Sequence, residues 1–146
     1  MERKIKGTLY GVVLFFITLT GFAQMPIFKR YYIADIPGLG WLAQFYVTHS
    51  LHYVFAAVLI GLGVFVLLDL MLNEKGLFSV TGSGMVKAVL IIGLMVSGGF
   101  MVIRNLPGVY FSHMAIHVMN LSHLGLCMAL LMVSAYTLVT GKKWIR

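Results

Sequence analysis

The sequence predicts an all-α integral membrane protein, a four-helix bundle that crosses the lipid bilayer. Of its 146 residues, 60% are hydrophobic and 10% are charged, a balance that excludes an ordinary soluble domain of this size. Four apolar stretches lie at residues 7–28, 45–72, 85–103 and 109–140, and each has about the 20 residues needed to cross hydrocarbon as a helix. Backbone polar groups in a bilayer must be satisfied internally, which favours helices over strands at these lengths.

The first stretch, residues 7–28, follows a basic start and contains Gly21-Phe22-Ala23. These features are also typical of a cleavable signal peptide, which is the alternative to a first transmembrane helix. The longest connection, residues 28–44, is too short to form a soluble domain. We therefore expect one domain of four transmembrane helices over residues 1–146, without an internal repeat.

The second and fourth stretches carry all the histidines of the chain. Near the start of one or the other lie His49, His52, His113, His117 and His123. Glycines that would let neighbouring backbones or a flat ring approach closely lie in the second stretch (Gly61 and Gly63) and in the third (Gly93, Gly98 and Gly99). The single cysteine, Cys127 in the fourth stretch, offers no disulfide framework and excludes iron–sulfur ligation by this chain alone.

The basic residues are distributed as the positive-inside rule predicts. The formal net charge is +7. With the N-terminus inside, three basic residues lie outside: Lys29, Arg30 and Arg104. Eight lie on the cytoplasmic side: Arg3, Lys4, Lys6, Lys75, Lys87, Lys142, Lys143 and Arg146. We expect a multi-pass protein of the cytoplasmic (inner) membrane with both termini cytoplasmic, and no nucleic-acid partner.

This topology places every histidine in the outer half of the bilayer. Counted from the inner ends of the second and fourth helices, His49 and His117 lie at the same depth. His52 and His123 differ by roughly 4–5 Å in depth at about 1.5 Å per residue. Pairs of imidazoles from two parallel helices are therefore geometrically available.

The helical repeat of about 100° per residue groups the histidines further. His49 and His52 are about 60° apart and share a face, and His113 and His117 are about 40° apart and share another. His123 is rotated by about 120° from His117, so it could serve a second cofactor. His113, nearest the water, could be a ligand, a propionate partner or part of a quinone site.

Neutral imidazoles inside an apolar helix bundle favour haem as the cofactor. A six-coordinate haem iron accepts one nitrogen from each of two helices, and the macrocycle buries its apolar area in the bundle. We expect one or two b-type haems with iron ligands among His49, His52, His117 and His123. Arg104, with Lys29 and Arg30 as further candidates, is expected to pair with haem propionates.

Two other function classes remain open. The spacings His49-x-x-His52 and His113-x-x-x-His117 also suit a non-haem metal site in a membrane oxidase or hydroxylase. The other class is a non-redox membrane assembly or transport subunit, in which the histidines titrate or join helices. Asp69 is the only carboxylate within a proposed span, which is unusual for a transporter.

Two histidine segments resemble a known family. His49-Ser-Leu-His52-Tyr-Val-Phe-Ala56 and His117-Val-Met-Asn-Leu-Ser-His123-Leu-Gly125 are similar to the cytochrome b subunits of respiratory oxidoreductases. The nearest likeness is to the formate dehydrogenase gamma subunit and to hydrogenase and thiosulfate reductase cytochromes b. The resemblance implies the electron-transfer subunit of an oxidoreductase complex, with a peripheral iron–sulfur or cytochrome subunit on the outer side and quinone or quinol as substrate.

The chain departs from that family in one respect. Its first helix has no histidine, and Thr137 lies near the inner end of the fourth helix, so an inner-leaflet haem has no obvious ligands. We therefore expect haem near the outer face only. Candidate quinone contacts are Tyr31, Tyr32, Tyr46, His113 and the Gln24-Met25-Pro26 corner.

Overall fold

The regular secondary structure of the chain is helical. The computed structural model describes residues 2–25, 27–72 and 80–143. Its helices are α1 (Glu2–Ala23), α2 (Ile27–Arg30), α3 (Phe45–Leu72), α4 (Gly82–Ile103) and α5 (His113–Val139), with short 3-10 helices at Ile33–Asp35 and Gly40–Ala43. The predicted all-α class is therefore confirmed for the part of the chain that the structure describes.

Three of these helices are long and apolar enough to cross a membrane: α3, α4 and α5. In α1 the corresponding apolar segment of the described chain, Gly7–Ala23, is shorter. The chain thus has the character of a helical membrane protein, while the first of the four predicted spans, residues 7–28, stays a prediction. Lipid-facing helices leave large apolar side chains uncovered by protein, and α3 exposes Val64, Leu67 and Met71 in this way.

Two predicted spans differ from the helices at their ends. The first was expected to run to residue 28, but α1 ends at Ala23 and a turn follows, with the Met25 N–H donating to the Phe22 carbonyl at 3.0 Å. The fourth was expected from residue 109, but α5 begins at His113. The Ser112 hydroxyl caps it by accepting from the Ala115 N–H at 3.2 Å. Apolar composition continues across both ends, so it could not locate the turn or the cap.

The remaining two spans agree more closely. The predicted second span, residues 45–72, coincides with α3. The third was expected from residue 85, whereas α4 begins at Gly82. The hydroxyl of Thr81 accepts from the Gly84 N–H at 3.1 Å and caps the helix there. Local side-chain capping again decides where the helix begins.

The contacts between helices divide the chain into two compact units, Met1–Leu72 and Asn73–Arg146. In the first unit α1 packs against α3, and we call this pair the first hairpin. In the second unit α4 packs against α5, and we call this pair the second hairpin. Each hairpin therefore has one histidine-bearing helix and one helix without histidine.

Candidate functional site

The structure separates the five histidines by burial. His49 and His52 on α3 are half-buried, and so is His123 on α5. His113 and His117 are exposed, and neither makes a hydrogen bond or ring contact within the described residues. His52 and His123 each lie against the other helix of their own hairpin, and His49 lies against the turn that follows α1.

His52 is held against α1 by its Nδ1 atom. This nitrogen lies 3.0 Å from the carbonyl oxygen of Ile17 and 3.3 Å from the hydroxyl of Thr20. A carbonyl oxygen can only accept, so Nδ1 carries the proton and donates it. In the neutral imidazole the lone pair then lies on Nε2.

Thr20 contributes to this arrangement from a fully buried position, with 0% of its surface exposed. Its hydroxyl donates to the Phe16 carbonyl of its own helix at 2.7 Å. Because that proton is already engaged, the Thr20 oxygen faces His52 as an acceptor. The Thr20 hydroxyl and the Ile17 carbonyl therefore impose the same tautomer on His52.

Gly21, the next residue, makes room for the ring. A Cβ atom built on Gly21 would lie 3.1 Å from Cε1 of His52, closer than ordinary van der Waals contact. Any larger residue would displace the imidazole or the helix. The Thr20-Gly21 pair thus supplies both the acceptor and the space that seat His52.

His49 is held in a similar way. Its Nδ1 lies 3.0 Å from Oε1 of Gln24, whose Nε2 donates to the Thr20 carbonyl at 3.5 Å. The ring stacks on Phe45 with centroids 5.1 Å apart and lies against Tyr53 at 4.4 Å. The amide oxygen accepts from Nδ1, so His49 has the same tautomer as His52.

The second hairpin repeats the arrangement with different residues. Nδ1 of His123 lies 2.8 Å from the hydroxyl of Ser97, which itself lies 3.2 Å from the Leu94 carbonyl. The one proton of the Ser97 hydroxyl has two acceptors within reach, the Leu94 carbonyl and Nδ1 of His123. Ser97 accepts from His123 when Nδ1 is protonated and Ser97 donates to Leu94. A Cβ atom on Gly98 would lie 3.4 Å from Cε1 of His123.

Each hairpin thus has a hydroxyl residue followed by glycine on one helix and a histidine on the other: Thr20-Gly21 with His52, and Ser97-Gly98 with His123. The sequence interpretation identified the histidines and counted Gly98 among the glycines that permit close approach, but it missed Thr20, Gly21 and Ser97. The detectable signal is a Ser/Thr-Gly pair in an apolar stretch that precedes a histidine-bearing stretch.

Arg104 lies at the C-terminal end of α4 and is half-buried. Its Nη1 donates to Oδ1 of Asn120 at 2.9 Å. Both residues line an open cavity of about 340 Å³, whose other lining residues are Asn105, Val109, Tyr110, Phe111 and Ile116. No Asp or Glu occurs in the sequence after Glu74, so the second hairpin supplies no carboxylate to neutralise this guanidinium.

The other predicted contact residues are less enclosed. Lys29, Arg30, Tyr31, Tyr32 and Tyr46 are exposed, whereas Gln24 and Met25 are half-buried. Tyr32 has a positive φ of 57°. Pro26, Lys75 and Arg146 lie outside the described residues, as do the side chains of Arg3, Lys4 and Lys6. The structure does not gather these residues into one site.

Within the described ranges, no three His, Cys, Asp or Glu side chains lie close enough together to hold a metal ion by themselves. The candidate site therefore consists of imidazoles held one by one, each positioned by its neighbouring helix. Comparison with known proteins finds no matching family model, no similar curated protein and no similar solved structure.

Proposed function

We propose that this chain is a b-type cytochrome membrane subunit of a respiratory oxidoreductase. It passes electrons between a peripheral redox subunit and the membrane quinone pool through haem ligated by histidine. The observation that carries this proposal is that Nδ1 of both His52 and His123 lies within hydrogen-bond distance of an oxygen on the adjacent helix. Metal-bound histidines almost always donate their second ring N–H in this way, because the bond fixes the tautomer and orients the ring.

The residues present fit haem better than an isolated hydrated metal ion. The donors are imidazoles among apolar side chains, and Gly21 and Gly98 let the neighbouring helix approach the His52 and His123 rings closely. Haem b, when bound, supplies a one-electron carrier whose potential depends on its axial ligands and burial. His52 and His123 are the histidines that would each hold haem iron.

His49 is a third imidazole with the ligand tautomer. The Gln24 amide and the rings of Phe45 and Tyr53 hold it in one orientation. His49 is therefore a candidate ligand for a second haem, and the exposed His117 is another. The haem content per chain distinguishes one haem from two and assigns the histidines accordingly.

Arg104 is proposed to neutralise a haem propionate. Its guanidinium has an amide partner in Asn120 and no carboxylate in the sequence of its own hairpin. A bound carboxylate would supply the missing negative charge, and Arg–carboxylate hydrogen bonds are among the stronger ones in proteins. Asn120 holds the guanidinium in place for this role.

The proposed topology follows the charge distribution. Both termini are cytoplasmic in the inner membrane, and the histidine-bearing ends of α3 and α5 face outward. A peripheral iron–sulfur or cytochrome subunit would exchange electrons there, and quinone or quinol would react within the membrane. The chain itself contributes ligation, burial and charge pairing, which set the cofactor potential.

Optical spectroscopy of the purified chain tests this function. We expect a Soret band and, on dithionite reduction, a sharpened alpha band, together with iron and haem in equal amounts. Iron without a Soret band would favour the non-haem metal alternative. A chain with neither iron nor haem, after reconstitution with hemin in detergent, would contradict the cytochrome proposal.

A further inference from the structure

We infer that Ser97 and Thr20 are positioning residues that set the donor strength of the two ligand histidines, and that Ser97 has the larger effect. This inference rests on the proposed function. It concerns which side chains control the ligands, a question that the assignment of His52 and His123 leaves open. Its basis is the number of acceptors that each Nδ1 atom meets.

The two hydroxyls can act as acceptors because each has a carbonyl of its own helix to which it can donate. The Phe16 carbonyl lies 2.7 Å from the Thr20 hydroxyl, and the Leu94 carbonyl lies 3.2 Å from the Ser97 hydroxyl. With Nε2 of His52 or His123 bound to iron, Nδ1 would carry the ring proton and donate it. A lone pair of each hydroxyl would then accept that proton.

The histidines differ in what else accepts their proton. Nδ1 of His52 has the Ile17 carbonyl at 3.0 Å, shorter than its 3.3 Å contact with Thr20. For His123, the hydroxyl of Ser97 at 2.8 Å is the one acceptor seen within the described residues. A backbone carbonyl survives any side-chain substitution, so His52 keeps an acceptor without Thr20, whereas His123 loses its acceptor without Ser97.

Loss of the acceptor changes the ligand in a defined direction. An imidazole that donates its Nδ1 proton is a more basic ligand at Nε2. A more basic axial ligand stabilises ferric iron relative to ferrous iron, and so lowers the midpoint potential. Removing the Ser97 hydroxyl should therefore raise the midpoint potential and weaken retention of haem.

The experiment compares two pairs of variants in the full-length chain purified in detergent. Ser97→Ala is matched by Ser134→Ala, since the buried hydroxyl of Ser134 makes no hydrogen bond within the described residues. Thr20→Val is matched by Thr48→Val, since Thr48 is equally buried but bonds only to carbonyls of its own helix. Redox titration, electron paramagnetic resonance and hemin titration are measured for each variant.

We expect Ser97→Ala to raise the apparent dissociation constant for haem by about 10–100-fold, the usual cost of losing an outer partner of a metal ligand. Its midpoint potential should become more positive, and the g values of the low-spin ferric signal should change. Thr20→Val should raise the dissociation constant by less than about tenfold, because Ile17 still accepts the proton. Both control variants should match the unsubstituted chain.

Ser97→Cys keeps the size of the side chain but has a weak acceptor, so it should shift the potential in the same direction if Ser97→Ala does not yield folded protein. Ser97→Thr, which retains the hydroxyl, should restore the original potential. A haem-loaded chain whose potential and g values are unchanged in Ser97→Ala and Ser97→Cys would overturn this inference and leave the cytochrome proposal standing. An unsubstituted chain that binds no haem would overturn both.

Discussion

In both hairpins Nδ1 of a histidine is hydrogen-bonded to the neighbouring helix, but the partner atoms differ. In the first hairpin His52 donates to a backbone carbonyl of α1 and also contacts the Thr20 hydroxyl. In the second hairpin Nδ1 of His123 is hydrogen-bonded to the Ser97 hydroxyl, at a shorter distance of 2.8 Å. The position of His52 is therefore supported by the helix backbone, whereas that of His123 depends on one side chain.

The hairpins also differ in how closely the helices approach the ring. The space left by Gly21 beside His52 is tighter than that left by Gly98 beside His123, since a Cβ atom would lie at 3.1 Å and 3.4 Å respectively. The first hairpin additionally positions His49 through Gln24. The first hairpin is therefore more tightly packed around its histidines. We expect it to be more sensitive to added side-chain volume, and the second hairpin to be more sensitive to loss of a hydrogen bond.

The largest effect is expected from removing the ligands themselves. His52→Ala and His123→Ala should each abolish or convert a low-spin haem signal, because a coordinating nitrogen is lost. The loss of bound haem should exceed the roughly 10–100-fold typical of removing an outer partner. Absorption and electron paramagnetic resonance spectra of purified protein measure it.

Met119→Ala is the control for both ligand variants, since Met119 is half-buried on α5 and has no assigned role. Its spectrum should match that of the unsubstituted chain. Unchanged spectra in His52→Ala and His123→Ala would contradict the assignment of these two histidines as ligands and shift it to His49 and His117.

Adding a methyl group at the glycine beside the histidine should destabilise the first hairpin more than the second, the reverse of the order expected when a hydroxyl is removed. Gly21→Ala places a methyl group against the His52 ring and should destabilise the protein by about 1–3 kcal/mol, the usual cost of overpacking. Gly98→Ala meets His123 at a larger distance and should cost less than about 1 kcal/mol, because the gain in helix propensity offsets part of the contact. Thermal unfolding in detergent, followed by circular dichroism, measures both.

Gly99→Ala is the matched control, because a Cβ atom there meets nothing within 4 Å. Its unfolding temperature should be equal to or slightly above that of the unsubstituted chain. If Gly98→Ala were more damaging than Gly21→Ala, the second hairpin would be the more tightly packed one in solution.

Apolar composition and helical phase predicted much of this arrangement. The second span was predicted with the bounds of α3. The roughly 60° between His49 and His52 agrees with His52 bonding to α1 and His49 to the turn directly after it. The ends of the helices were harder to predict from the sequence, because the Ser112 and Thr81 caps lie within or beside apolar runs.

The partners of the histidines could not be predicted in the same way. Depth counting compares residues along a membrane normal, but it does not say which helix packs against which. Thr20 and Ser97 acquire their role only once α1 is known to pack on α3 and α4 on α5. Their hydrogen bonds with histidine are long-range in sequence, and local patterns do not encode them.

Replacement of Arg104, a residue of the second hairpin, is expected to have a smaller effect on haem affinity. Arg104→Gln keeps a donor for Asn120 but removes the positive charge. Since the side chain is partly exposed, the lost ion pair with a propionate should cost no more than about 1 kcal/mol, or about fivefold in haem affinity. Hemin titration at low and high salt measures this change.

Lys143→Gln removes the same charge from an exposed position at the far end of the second hairpin, and it should leave hemin affinity unchanged. The Arg104→Gln effect should shrink at high salt, because screening weakens an exposed ion pair. Equal losses in the two variants would indicate a general effect of net charge and remove Arg104 from the propionate site.

The smallest effect is expected at Gln24, and measuring it separates the role of His49 from that of His52 in the first hairpin. Gln24→Leu removes the acceptor of the His49 Nδ1 proton, but the rings of Phe45 and Tyr53 still enclose that imidazole. We expect haem affinity to fall by no more than about twofold, well below the cost of an acceptor lost from a ligand. A loss as large as that expected for Ser97→Ala, measured in the same hemin titration, would make His49 rather than His52 the principal ligand of the first hairpin.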